Sequence, residues 1–112
     1  MADAEGLVDI EEFARLDFRV GTVREAEGLE GSDKLVVLKV DTGSEVRQIV
    51  AGIRATYSPE QLIGKKVVVL TNLKKASIRG VESDGMILAA DAGSGVCLVA
   101  PESEIDNGVR VR

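Results

Sequence analysis

Apolar runs separated by glycine-containing turns dominate the chain after residue 17. Residues 18–26, 34–41 and 45–51 are rich in β-branched and apolar side chains. They predict three strands of an antiparallel meander, because short turns join them. Gly21 interrupts the first strand and predicts a bulge or a sharp bend there. The second strand is apolar at positions facing both ways.

The pattern changes after residue 54. Ser58-Pro59-Glu60 has Ser at a cap and Pro in the first turn, which predicts a helix start, and Gly64 predicts its end. The strands that follow are predicted at residues 66–73, 86–90 and 96–100, with a turn at 106–108 before Val109 and Val111. Three meandering strands, a short helix and two further strands match a five-stranded Greek-key barrel, the OB-fold.

The N-terminal segment predicts a short helix. Asp9 can cap its N-terminus and Glu12 lies at the capping-box position, while Ile10 and Phe13 form one apolar face. We expect residues 1–8 to be flexible. The whole prediction is therefore one domain over residues 1–112: an all-β barrel with short helices and terminal extensions.

Composition restricts the function. The 112 residues contain no His and one Cys, which excludes Ser-His and Cys-His nucleophiles and His-ligated metals and predicts no cofactor. Cys97 lies in an apolar run and is predicted to be buried in the core. No apolar run approaches the ~20 residues of a membrane helix, so no membrane association is expected. The acidic N-terminus lacks the form of a secretory signal, which predicts a cytoplasmic protein.

The net charge of −5 conceals an uneven distribution. Residues 1–33 carry −7, residues 34–81 carry +6 and residues 82–112 carry −4. A positive surface on a negative body is typical of a protein that binds a polyanion. Chance clustering of charge on solvated faces is an equally good explanation of the same pattern.

The basic segment 71–86 holds the candidate binding residues. Lys74, Lys75 and Arg79 fall within six residues without an acid among them, and Asn72 and Ser83 add polar groups. Lysines act as point charges for phosphates, whereas Asn and Ser can bond a ribose or a base edge. A solvated hairpin loop is the alternative interpretation.

Two further patterns narrow the ligand. Residues 63–66 superficially match a phosphate-binding loop, but position 59 is Pro where such a loop requires Gly and position 66 is Lys where it requires Ser or Thr. Phe13, Phe18 and Tyr57 are the only aromatic residues, too few for the stacking platforms of a single-strand binder. Folded RNA, recognised by shape and phosphate contacts, is favoured instead.

Short ordered motifs from residue 13 to residue 111 resemble the tRNA-binding domain found as a free-standing dimer and as the C-terminal module or separate beta subunit of methionyl-tRNA synthetases. The matching motifs are Leu16-Asp17-Phe18-Arg19-Val20-Gly21, Glu30-Gly31-Ser32-Asp33-Lys34-Leu35, Ala51-Gly52-Ile53, Tyr57-Ser58-Pro59-Glu60, Leu62-Ile63-Gly64-Lys65-Lys66-Val67, Asn72-Leu73-Lys74 and Arg79-Gly80-Val81-Glu82-Ser83-Asp84-Gly85-Met86. The chain is also similar to synthetase-associated cytokines and to a small export-related chaperone.

The resemblance implies a homodimer that binds the outside of folded tRNA without catalysis. By motif match, the groove would be lined by Asn72, Lys74, Arg79, Ser83 and Met86. We add Lys75, Lys34, Lys65 and Lys66 as phosphate contacts. The family continues Asn-Leu-Lys with Pro and further basic residues, whereas residues 75–78 here are Lys-Ala-Ser-Ile, a departure that bears on affinity.

Two functions follow as hypotheses. The first is a free tRNA-binding protein or an accessory beta subunit for a methionyl-tRNA synthetase catalytic chain. The second is a peptide-binding, export-type chaperone that uses the same groove. For either, a homodimer is predicted because apolar residues remain at both termini, with an interface that contains Ile10, Phe13, Val99, Ile105 and Val109.

Overall fold

The computed structural model describes residues 6–112. The N-terminal helix α1 (Ile10–Ala14) has the predicted capping box: the Asp9 carboxylate accepts from Glu12 N at 2.9 Å, and the Glu12 carboxylate accepts from Asp9 N at 3.2 Å. Residues 6–8 are exposed and outside any helix or strand. Residues 1–8 are predicted to be flexible, and residues 1–5 of this segment lie outside the described residues.

Ten strands and a second short helix follow. In chain order they are β1 (Phe18–Gly28), β2 (Val36–Asp41), β3 (Val46–Ala51), α2 (Pro59–Leu62), β4 (Lys66–Leu70), β5 (Ala76–Ile78), β6 (Val81–Ser83), β7 (Met86–Ile87), β8 (Ala89–Asp91), β9 (Val96–Leu98) and β10 (Arg110–Val111).

Five of these strands form the barrel. The hydrogen-bonded order is β3-β2-β1-β4-β7, every pair is antiparallel, and β3 packs against β7 to bring the sheet nearly to closure. The fourth strand lies beside the first, which is the Greek-key order. The predicted five-stranded OB-like barrel is confirmed, and α2 lies between its third and fourth strands.

Strand β1 is long enough to pair with different strands along its length. Its first half pairs with β4 and its second half with β2, while β10 takes the remaining edge at Phe18 and Arg19. The ladder with β2 is irregular between Val23 and Glu25, so the bulge predicted at Gly21 falls further along the strand. Gly21 is instead explained by close packing, because a Cβ there would lie 2.7 Å from Val40 Cγ1.

The core is aliphatic and lies inside the barrel. Strand β2 alternates strictly, with Val36, Leu38 and Val40 fully buried and the residues between them facing outward. The sequence-based interpretation of β2 as apolar on both faces is therefore wrong, since Lys39 lies on its outer face. The packed cluster also includes residues of β1, β3, β4 and β7 and Leu62 of α2.

In the C-terminal third of the chain, the structure differs from the prediction in the position of Cys97. The predicted strand 86–90 divides into β7 and β8, and β8 pairs with β9 in a hairpin beside the barrel. Val96 and Leu98 of β9 pack against the core, so Cys97 between them points outward and is exposed. The prediction of a buried Cys97 is wrong because β9 lies on the outside of the barrel.

Within residues 6–112 the longest helix has five residues, and none is long and apolar enough to cross a membrane.

Candidate nucleic-acid interface

The basic segment between β4 and β7 folds as a hairpin. Strands β5 and β6 pair from Ala76↔Ser83 to Ile78↔Val81, which leaves Arg79 and Gly80 as a two-residue turn. Both have positive φ, 52° for Arg79 and 80° for Gly80, the pattern of a type I′ turn. A left-handed conformation costs a residue with a Cβ about 1–2 kcal/mol, so the backbone of Arg79 at the hairpin tip is strained.

The hairpin is fastened to the free edge of β3. Val50 N donates to Ser83 Oγ at 3.0 Å, and Asp84 N donates to the Gln48 carbonyl at 2.8 Å. The Gln48 side chain donates in turn to the Glu82 carbonyl at 2.9 Å. These bonds satisfy an edge strand that would otherwise leave its backbone groups unpaired.

The hairpin tip meets the loop between β1 and β2, residues 29–35. Arg79 Nη1 donates to the Gly31 carbonyl at 3.2 Å. This loop also carries Lys34, whose side chain is exposed. In OB-folds the loops after strand one and before strand five bind nucleic acids, and here those two loops touch.

Four cations define what we call the basic face: Lys34, Lys74, Lys75 and Arg79. All four are exposed. Among the described residues, the ion pairs within 4.0 Å involve Arg19, Arg24 and Arg47 instead. The four side chains therefore form no ion pair within the described residues, and the exposed acids Glu30, Asp33 and Glu82 lie in the same loop and hairpin. Lys74 and Lys75 lie at the hairpin base, just before the Ala76↔Ser83 pair, and Arg79 lies at the tip.

Other predicted groove residues have structural partners. The Asn72 amide accepts from Asp17 N at 2.9 Å and donates to the Arg15 carbonyl at 2.6 Å, which ties α1 to the end of β4. Ser83 is buried, and its hydroxyl also donates to the Gly85 carbonyl at 3.2 Å. Met86 is 44% exposed on β7. Ser83 thus stabilises the hairpin and Asn72 stabilises the segment that leads into it, and neither side chain presents a free polar group to a ligand.

Lys65 and Lys66 lie apart from the basic face. They precede and begin β4, whereas the hairpin follows the other end of that strand. Lys66 Nζ donates to the Ile105 carbonyl and to Asn107 Oδ1, both at 2.9 Å. Lys65 is exposed, with its ammonium 5.9 Å from the centre of the Tyr57 ring. Only Lys65 of this pair has a free ammonium to offer to a phosphate.

Two residues near the basic face escaped sequence analysis. Lys39 lies on the outer face of β2, where Gln48 Oε1 accepts from its ammonium at 2.7 Å. Arg54 bonds the carbonyls of the β1–β2 loop. The alternation of inward and outward side chains in a strand could have predicted that Lys39 lies on the outer face of β2. The contacts of Arg54 form only in the folded chain, and no local sequence pattern predicts them.

The predicted dimer residues do not form one patch. Ile10 and Phe13 line an apolar groove of about 380 Å³ together with Leu16 and Val111, flanked by Arg110 and Arg112. Phe13 stacks on Phe18 with ring centres 6.0 Å apart, yet it remains 39% exposed, and Ile10 is 71% exposed. Val99, Ile105 and Val109 are each exposed by about two fifths, but they lie outside this groove.

A larger cleft, about 710 Å³, lies at the barrel end between the β2–β3 turn and residues 106–109. It contains Arg19 and Arg47 but also Asp17, Glu45 and Asp106, so its charge is mixed. Arg47 donates to the Thr71 carbonyl at 2.7 Å and pairs with Glu45 and Asp84. In the described part of the chain, no group of three or more His, Cys, Asp and Glu side chains could hold a metal.

Asp17 makes this end of the barrel sensitive to acid. Partial burial raises the pKa of its carboxyl, but the hydrogen bond and charge of Arg19 outweigh burial, helped by Thr71 and Arg110, so the pKa lies below 3.8. A depressed carboxyl pKa stabilises the fold above the unfolded value of about 3.9, and this contribution is lost as pH falls through the folded value.

We therefore expect Asp17→Asn to flatten the acid limb of the stability profile. The wild-type chain should lose more of its free energy of unfolding than this variant does as pH falls from about 5 through the unfolded pKa of about 3.9 toward the lower folded value. Urea denaturation at each pH measures the difference, with Glu102→Gln on the exposed surface as the control. Equal loss in wild type and Asp17→Asn would contradict the assignment.

Comparison with known proteins gives consistent matches over nearly the whole chain. The family model described as "Putative tRNA binding domain" matches residues 18–110. The methionine–tRNA ligase of Thermococcus kodakarensis is 50% identical over 105 residues, which are 94% of this chain and 14% of that protein. The ligase of Archaeoglobus fulgidus is 52% identical over 104 residues, 93% of this chain and 16% of that protein. The chain therefore spans about one seventh of the length of these relatives.

Solved structures match the fold closely. The crystal structure of a MetRS-related protein from Pyrococcus horikoshii superposes with a TM-score of 0.89 at 41% identity, over 95% of this chain and 98% of that one. The chaperone CsaA from Bacillus anthracis gives a TM-score of 0.85 at 32% identity, over 95% and 99% of the two chains.

Proposed function

Because the chain belongs to the family of tRNA-binding domains, we propose that it binds folded tRNA through its basic face, by shape and phosphate contacts and without chemistry of its own. The observation that carries this proposal is the meeting of the β5–β6 hairpin with the β1–β2 loop, where Arg79 bonds Gly31. The two loops form one surface with four unpaired cations. Phosphate contacts of this kind position an RNA without reading its sequence.

The biological setting is part of the same proposal. The relatives that share half of its residues are methionine–tRNA ligases, and the chain corresponds to a small part of each. We propose that it acts in the cytoplasm as a free tRNA-binding protein or as an accessory subunit, and that in the second case it raises the local concentration of tRNA for a methionyl-tRNA synthetase catalytic chain.

The salt dependence of binding tests the phosphate contacts. Lys34, Lys65, Lys74, Lys75 and Arg79 are free to contact phosphates, and each contact contributes about 0.7–0.9 to the slope of log affinity against log salt. We therefore expect a slope on the order of −3 to −5 for these five cations. Fluorescence titration of folded tRNA at several salt concentrations measures the slope. Tight binding with a flat salt response would contradict the proposal.

We also propose a homodimer that covers the apolar groove at Ile10 and Phe13. Ile10 of this groove lies in the acidic first turn of α1, and Arg110 and Arg112 also line the groove. A two-fold axis would place the acidic turn of each copy against the arginines of the other, which makes the surface self-complementary. Two basic faces on one assembly could then engage one tRNA with a gain in avidity.

The dimer predicts a mass of about twice the 11.9 kDa of one chain in light scattering at micromolar concentration. Ile10→Asp should shift the mass to that of the monomer and weaken tRNA binding, because it places a charge in the covered groove. The fold should tolerate this change, since an acid is favourable at a helix N-terminus. Ile63→Asp, at another exposed apolar position outside the groove, should leave the dimer intact. A wild-type mass that stays monomeric as concentration rises would rule the dimer out.

Peptide binding is the second candidate, and the similarity to chaperone CsaA favours it. An extended apolar peptide would use exposed apolar side chains and would not require the charges of the basic face. Binding of an unfolded model protein that survives neutralisation of Lys74 and Lys75 would support this alternative over tRNA binding.

A further inference from the structure

One arginine outside the β1–β2 loop holds that loop in place. Arg54 Nη1 donates to the carbonyl of Ser32 and, at 3.5 Å, to that of Leu29, and Arg54 N donates to the Lys34 carbonyl at 3.1 Å. Arg54 thus donates hydrogen bonds to three carbonyls of a seven-residue loop. Arg54 is partly buried, and its guanidinium bonds the backbone of the loop.

Gly28 makes room for this contact. A Cβ at Gly28 would overlap the Arg54 guanidinium. The backbone of Gly28 is not in the left-handed region, so no turn requires glycine at this position. The absence of a side chain at the end of β1 is therefore explained by the close approach of Arg54.

The same loop also contacts the hairpin. Gly31, whose carbonyl accepts from Arg79, lies between Leu29 and Ser32, which accept from Arg54. The loop is thus held between two guanidinium groups, and Lys34 follows within it. Ser32 Oγ fixes the approach to Lys34 by accepting from Lys34 N and Leu35 N, both at 3.2 Å.

We propose that Arg54 is a positioning residue for RNA binding, which contacts no phosphate and instead fixes the β1–β2 loop so that Lys34 and Arg79 act as one charged surface. This inference rests on the proposed function. It assigns to Arg54 an effect that depends on Lys34 and Arg79 and that is independent of Lys74 and Lys75 at the hairpin base.

A double-mutant cycle tests this dependence. Arg54→Lys keeps the charge, so long-range attraction to RNA is unchanged, but its ammonium ends one bond short of Arg54 Nη1, the atom that donates to both carbonyls. We expect it to weaken folded-tRNA binding by about three- to tenfold, within the usual range for coupled neighbours. In a Lys34→Ala/Arg79→Ala background the same change should cost less than about twofold, because the residues that it positions are gone. In a Lys74→Ala/Lys75→Ala background the full effect should remain.

The outcomes separate this inference from the proposed function. A similar loss in both backgrounds, or no loss in Arg54→Lys alone, would overturn the positioning role while leaving tRNA binding intact. Failure of the wild-type chain to bind tRNA would overturn the proposed function and this inference with it. Amide hydrogen exchange provides a structural check: exchange at Leu35 should rise in Arg54→Lys while exchange at the core residue Val69 stays slow.

Discussion

Replacing Lys74 and Lys75 together with alanine is expected to weaken tRNA binding on the order of 20-fold near physiological salt, since each lost phosphate contact removes about 0.7–0.9 from the salt exponent. Both lysines are exposed at the base of the hairpin, and neither has a carboxylate within 4.0 Å in the described part of the chain. The loss should be similar for all tRNAs, because contacts to phosphates carry no sequence information.

Two controls identify the cause of such a loss. Lys74→Arg/Lys75→Arg retains both charges and should retain most of the affinity. Ser94→Asp/Ser103→Asp shifts the net charge by the same two units on exposed loops away from the hairpin, and it should cost far less. Equal losses in the alanine pair and the aspartate pair would mean that net charge governs binding and that the hairpin has no special part in it.

Gly85→Ala is expected to cause a large loss of stability although it adds a single methyl group. Gly85 joins the hairpin to β7 with a φ of +124°, and an added Cβ would lie 3.0 Å from the buried Leu70 carbonyl. Backbone strain and steric overlap together should cost about 3 kcal/mol of the free energy of unfolding. Urea denaturation measures this value from the midpoint and slope.

Gly64→Ala is the matched control. Gly64 also has a positive φ, +89°, but no atom lies within 4 Å of the position of its Cβ. Only the backbone conformation is then penalised, which costs about 1 kcal/mol. If the two substitutions are equally costly, the contact with Leu70 does not contribute and the account of Gly85 is wrong.

The barrel could be predicted from the sequence because its signals are local. Alternation, glycine turns and the Ser-Pro helix start identify β1 to β4 and α2 to within a few residues, and the Asp9 capping box is where the spacing places it. The errors arise where tertiary packing decides. Cys97 is exposed because β9 packs outside the barrel, and the bulge of β1 follows its change of partner and not Gly21.

The candidate site could be predicted only in part. The charges of Lys74, Lys75 and Arg79 are visible in the sequence, and their exposure agrees with their predicted role. Asn72 and Ser83 have side chains typical of RNA contacts, but the fold uses them to bond its own backbone. Arg54 could not be found, because its partners lie more than 19 residues away and are backbone carbonyls, which no residue type reveals.

The central claim is that the basic face recognises folded tRNA. Its most direct test is a titration of the chain with folded tRNA, with an unstructured RNA of equal length and with an unfolded model protein, at one salt concentration. The two RNAs carry the same number of phosphates, so they differ in shape and charge density but not in total charge. The account predicts tighter binding of folded tRNA than of unstructured RNA and no saturable binding of the unfolded protein. Equal binding of the two RNAs, or preferential binding of the unfolded protein, would contradict it.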